Sequence, residues 1–267
     1  MLSFFKERRR RKLISQPFPE IWRQILQKRF PLFQRLPESD RQELEGHIQI
    51  FLAEKTFEGC GGLTLTDDMR VSVAAQACLL LLGRETECYP ELQSILIYPS
   101  TYSAKTTEHS QSGIVTESQS HRLGESWQGG AVVLAWDSIA GGAINISDGQ
   151  NVVLHEFAHQ LDQQDGRADG TPLLHSDGSL HERRNRYLAW TKVLGREYVE
   201  LQGKARKNQK TVMDHYGATH PAEFFAVATE CFFEKPRQMN AKHPDLYEEL
   251  KKFYRQDPLT WPAAERV

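Results

Sequence analysis

His155, Glu156 and His159 stand together in the stretch HEFAHQLD, directly after the apolar run Val152-Val153-Leu154. On a helix, residues four apart lie one above the other on the same face. His155 and His159 can therefore aim their imidazoles at a common metal. Glu156, about 100° round the helix, can reach a water held by that metal. A catalytic zinc takes three protein ligands and keeps a fourth position open, and it lowers the pKa of water to about 7. A carboxylate can then take the proton at neutral pH, which is the chemistry of peptide hydrolysis. Val152, Val153, Leu154, Phe157, Ala158 and Leu161 predict a helix buried on most of its surface. Two buried imidazoles and a carboxylate without partners are costly there, and one metal satisfies all three.

The third ligand has several candidates. Asp165 stands six after His159, but that arrangement needs a glycine to break the helix where this chain has Asp162. His175 and His181 fall in a polar stretch. Glu223 is better placed, because it opens the apolar run AEFFAVATECFF, which would hold its carboxylate against the core. The competing reading of Glu223 is a first-turn glutamate favoured by the helix dipole. Glu230, seven residues on, shares its face as an outer partner or rival ligand. Tyr216, in DHYGATHPAEFF, offers a phenol that could donate to the oxyanion of a tetrahedral intermediate, or could simply pack.

Around these residues the patterning is α+β, mostly helical with a small sheet. Helices are expected at about 21–30, at 39–55 with Ser39 and Gln42 as a capping box, and from Thr66 through 71–82 with Gly83 ending it. Strands are expected at 94–98 and 131–136, the second bounded by Gly141-Gly142 and serving as the edge strand beside the HExxH helix. Residues 100–130 read as a long loop or irregular hairpin. Asp148 or Asn151 caps the HEFAH helix. Further helices are expected at about 180–201, from His220-Pro221 to Phe233 with Pro236 as the stop, and at 244–254. The basic segment 202–210 reads as exposed.

Composition bounds the rest. The 267 residues carry 33 Lys and Arg against 35 Asp and Glu, a balance that does not mark a nucleic-acid binder. Residues 1–15 read as a flexible basic arm, and 16–267 as one domain with a helical part to about 90, a catalytic core over about 91–235 and a C-terminal helix and tail. No run of 18 apolar residues spans a membrane and no secretory signal is apparent. Four cysteines without a CxxC pair fit a reduced, cytoplasmic chain and leave any metal to histidines and carboxylates.

VVLHEFAHQLD together with YGATHPAEFFAVATECFF, and GGAVVLAWDS upstream, resembles the Mlc titration factor A family of bacterial zinc peptidases. The same arrangement looks like the catalytic domain of anthrax lethal factor. The resemblance implies a zincin-like metallopeptidase domain with one Zn2+ on His155, His159 and Glu223, Glu156 as general base and Tyr216 as oxyanion donor. It further implies aminopeptidase-like activity on short peptides and binding of the transcriptional repressor Mlc. The alternative is a protein that sequesters a regulator and whose zinc site is vestigial or structural. Glu156 favours the enzyme, since a structural site needs no base.

Overall fold

The computed structural model describes residues 2–84, 87–100, 102–109, 115–122, 124–127, 130–174 and 179–262; the side chains of residues 2–3 and 102–127 fall outside that description. Helices α1 (Leu2–Ile14), α2 (Glu20–Arg29), α3 (Pro31–Arg35) and α4 (Glu38–Glu54) precede strand β1 (Thr56–Gly59) and helix α5 (Asp67–Leu79). Strands β2 (Ser94–Tyr98), β3 (Tyr102–His109), β4 (Val115–Arg122), β5 (Gly124–Trp127) and β6 (Ala131–Ala135) follow, then α6 (Trp136–Ile144) and α7 (Val152–Asp162). The chain ends with α8 (Leu180–Arg206), α9 (Pro221–Glu234), α10 (Pro236–Lys242) and α11 (Pro244–Tyr254).

The main sheet has the order β1-β2-β6-β5, with β1, β2 and β6 parallel and β5 antiparallel to β6. β3 and β4 form a separate antiparallel pair, the hairpin alternative for this stretch among the described residues. This corrects the sheet edge. β6, expected at the edge, is interior, and β5 takes the edge position against α7. GESW has no apolar alternation to announce it; pairing with β6 makes it a strand. Gly141 and Gly142 lie inside α6 rather than ending the strand.

Helix starts follow local chemistry. Thr66 caps α5 by accepting from the Met69 N–H at 3.4 Å, and Ser179 with Glu182 forms a full capping box for α8. The box expected at Ser39 does not form. α4 starts one residue earlier, after Pro37, and Gln42 instead bonds Glu38. Pro236 ends α9 but also opens α10 from the N1 position, where its missing N–H costs nothing. α8 continues to Arg206, so the first half of the 202–210 basic segment is helical. Within the basic first stretch, α1 lies along α4, with Arg10 forked onto Glu54 at 2.7 and 2.6 Å.

One apolar cluster runs from Phe18 to Trp261. Phe157 of α7 packs against Phe51 and Tyr89, with ring centroids 5.7 and 4.8 Å away. Burying such a ring contributes roughly 1.5–3 kcal/mol. α7 is thereby gripped by α5 and the residues after it on one side and by α9 on the other. Among the described residues, no helix is long and apolar enough to cross a membrane.

Candidate metal centre

Asn151, one of the two residues expected to cap the HEFAH helix, is its N-cap and accepts from the Leu154 N–H at 3.0 Å. Asp148 serves the preceding turn, accepting from Gln150 N–H. α7 is buried nearly all round, including the polar Glu156, His159, Gln160 and Asp162. Those groups therefore need partners within the fold. α9 supplies Glu223 to His159, and Gly170 N–H meets Asp162. α9 starts at Pro221 behind His220, whose Nδ1 accepts from the Ala222 N–H at 3.2 Å, and packs along α7.

Three donor atoms converge between the two helices. Glu223 Oε2 lies 2.9 Å from His155 Nε2 and 3.3 Å from His159 Nε2, and the two imidazole nitrogens are 3.3 Å apart. Two ligands about 2.0–2.2 Å from a tetrahedral centre are themselves roughly 3.3–3.6 Å apart. The donor set and its spacing thus fit one tetrahedral metal ion after a shift of a few tenths of an ångström. His155, His159 and Glu223 form the metal-competent group among the described residues.

The surroundings are acidic. Glu230 Oε2 sits 3.5 Å from His155 Nδ1, on the opposite edge of the ring from Glu223. Burial opposes charge on His155, but Glu223 and Glu230 outweigh it and raise its pKa to about 10. Burial likewise opposes charge on Glu223, and the two histidines outweigh it, holding that carboxyl far below its ordinary range. The site as a whole favours a cation. Glu156 is 5 % exposed, and burial lifts its carboxyl to about 7 against the pull of His155 and His159. A carboxylate with that pKa takes up and releases a proton near neutrality.

Tyr216 lies in a short 3-10 turn, His215–Ala218, that Asp214 caps through the Tyr216 N–H at 2.8 Å. Gly217 presses that turn onto α9: a Cβ there would meet Val227 at 3.2 Å. The Tyr216 ring centre is 5.9 Å from that of His155, and the residue is 53 % exposed, which sets it apart from a core tyrosine.

The rival third ligands stand elsewhere. Asp165 is exposed in the 3-10 turn after α7 and accepts from its own neighbour, Arg167 N–H, at 2.9 Å. His181 is exposed in the first turn of α8. His175 lies outside the described residues.

Two supporting elements were not read from the sequence. Glu230 Oε1 accepts from Asn151 N–H at 2.8 Å, while Glu234 accepts from Asn151 Nδ2 at 3.1 Å and Gly149 N–H at 3.1 Å. The C-terminal half of α9 therefore holds the start of α7. Asp162, at the other end of α7, accepts from Gly170 N–H at 2.9 Å. Gly170, at φ +78°, packs so closely on Pro221 that a Cβ would come within 2.5 Å of its carbonyl oxygen. That contact ties the end of α7 to the first turn of the Glu223 helix. A signal existed in the glutamate spacing of α9, but pairing with a backbone N–H leaves no mark in sequence.

The family model of the glucose-regulated metallo-peptidase M90 matches residues 4–255. The chain belongs to that family. An uncharacterized protein of Synechocystis sp. is 42 % identical over 252 residues, covering 94 % of this chain and 89 % of that protein. Mlc titration factor A of Serratia proteamaculans is 32 % identical over 232 residues, 86 % of this chain and 85 % of its own length. Mlc titration factor A of Klebsiella pneumoniae is 31 % identical over 244 residues, 89 % and 86 % respectively. The resemblance to the Mlc titration factor A family thus extends over most of the chain.

Proposed function

We propose that this protein is a zinc-dependent, aminopeptidase-like peptidase with a zincin-like catalytic domain, working in the cytoplasm. The convergence of His155, His159 and Glu223 beside the buried carboxyl of Glu156 carries the reading. Two imidazoles and one carboxylate are a donor set suited to zinc and leave a fourth position for chemistry. Zinc, when bound, supplies Lewis acidity toward the scissile carbonyl and makes a water acidic enough to attack at neutral pH.

The chain's own residues do the rest. Glu156 takes the proton from the attacking water and passes it to the leaving amine, a task suited to a carboxyl lifted to about 7. Tyr216 donates its hydroxyl to the oxyanion as charge develops. The open edge of β5 against α7 can hold an extended peptide through main-chain hydrogen bonds. Asn151, Glu230 and Glu234 keep α7 in register with α9.

A second reading has support of its own. Several relatives carry the name Mlc titration factor A, which favours binding of the repressor Mlc by this chain. The two roles are compatible if a surface binds the repressor while the cleft cuts peptides. Hydrolysis of chromogenic aminoacyl substrates tests the enzyme. Turnover abolished by a chelator and restored by zinc is the expected result. No turnover in fully zinc-loaded protein, with Mlc binding intact, would leave only the sequestering role.

A further inference from the structure

A second site lies apart from the histidine cluster and shares no residue with it. Arg84 follows Gly83 just beyond α5 and is 8 % exposed. Its guanidinium carbon lies 4.1 Å over the centre of the Phe253 ring. Its Nη1 is buried without a hydrogen-bond partner. Burial pushes Arg84 down from its ordinary pKa, and the groups around it are the phenols of Tyr254 and Tyr89 and the guanidinium of Arg255, with no carboxylate among them. A buried guanidinium with an unused N–H is a high-energy arrangement unless something anionic meets it.

Arg84 lines a cavity of about 20 Å³ within a solvent-open depression of about 280 Å³. Arg186, Lys252 and Arg255 line it too, with Leu174 and Phe253 as apolar walls, and no acidic residue lines it among the described residues. Lys252 is already compensated by Glu249 at 2.8 Å. Arg255 spends one N–H on the Gly83 carbonyl at 3.4 Å, and Arg186 has no ion pair among the described residues. Three guanidinium groups thus face one small hole without neutralisation. The hole admits a single oxygen-sized group.

We propose that this depression binds a phosphate group, one oxygen entering the hole against the Arg84 side chain while Arg186, Arg255 and Lys252 meet the oxygens left in the mouth. A singly charged carboxylate would leave most of that positive charge unanswered and offers only two oxygens. A phosphate carries up to two charges and at least three peripheral oxygens, matched to guanidinium forks. Chloride could fill the hole but would reach none of the outer groups.

Calorimetric titration of the full-length zinc-loaded protein tests this, in one arm with inorganic phosphate and in a second with glycerol 3-phosphate as a small monoester. One saturable site per chain is expected, with a dissociation constant on the order of 1 mM or tighter. Arg84→Gln should weaken binding by about tenfold or more and Arg186→Gln by several-fold, the loss expected for charge-assisted hydrogen bonds. Peptide hydrolysis by Arg186→Gln should match wild type. Tighter binding of the monoester assigns the site to a phosphorylated metabolite, and tighter binding of inorganic phosphate assigns it to the free ion. Should Arg84→Gln fail to fold, the Arg186→Gln/Arg255→Gln double variant carries the test. Absence of saturable binding of either probe to wild type, or wild-type affinity in the folded variants, would overturn the proposal.

Discussion

Among the described residues, two histidine–glutamate pairs, one buried and one part-buried, differ in their surroundings. His243 Nδ1 lies 2.7 Å from Glu197 Oε2, and both side chains are 6 % exposed. Arg196 also binds Glu197, at 2.9 Å, and reaches on to Asp245 at 2.8 Å. That pair is closed, with its charge spent on a neighbouring cation. His155 and Glu223 make a similar contact at 2.9 Å, but a second imidazole stands 3.3 Å away and a further carboxylate stands behind the ring. No arginine or lysine enters among the described residues, and the Glu223 side chain remains 22 % exposed. A His–Glu contact alone is thus no sign of chemistry. Converging donors, surplus negative charge and access from solvent together distinguish the metal-competent pair from the structural one.

The largest expected effect falls on Glu156, which has no counterpart beside His243. Glu156→Gln should retain metal and lose about 10²–10⁴-fold in kcat, the range for removing a general acid–base. Steady-state hydrolysis with parallel metal analysis reads this, and wild-type turnover in a metal-loaded variant would break the contrast between the pairs. Tyr216→Phe comes next. It keeps the half-exposed ring but removes the hydroxyl, so kcat should fall roughly 10²-fold while KM and melting temperature hardly move. If stability shifts and kcat does not, the tyrosine merely packs.

Glu230→Gln sharpens the comparison from behind the ring. Carboxylates that orient a metal-binding histidine typically contribute 10–100-fold in metal affinity. A drop of about that size is expected in competition with a chromogenic chelator, with the fold intact because Gln can still accept from Asn151 N–H. Unchanged affinity would make Glu230 a purely structural anchor. The closed pair should respond in the opposite way. His243→Ala should leave metal content untouched yet cost about 3 kcal/mol in denaturant unfolding, because a buried carboxylate loses one of its two partners.

The site was more legible in sequence than the scaffold that holds it. The HExxH spacing and the apolar run behind Glu223 are short-range patterns with a fixed helical meaning, so α7, α9 and their donors could be read residue by residue. The missing glycine at position 162 already disfavoured Asp165, and its carboxylate turns back on its own loop. The sheet edge was not legible, because GESW becomes a strand only through pairing with β6. Ser39 misled, and Pro236 stopped α9 as expected while doing more than that. Pro37 starts a helix without a side-chain cap, and Pro236 follows one helix only to begin another. The basic start of the chain reads as solvated in isolation, and its helix docks because Glu54 on α4 meets Arg10.

On the proposed function, two helices make one zinc site from His155, His159 and Glu223. Elemental analysis of purified protein after zinc loading and buffer exchange tests it most directly, with Glu223→Ala and His243→Ala alongside wild type. About one zinc per chain is expected in wild type and His243→Ala, and loss of most of it in Glu223→Ala, since a catalytic site needs three protein ligands. Full zinc occupancy in a folded Glu223→Ala protein, or none in wild type, would contradict it.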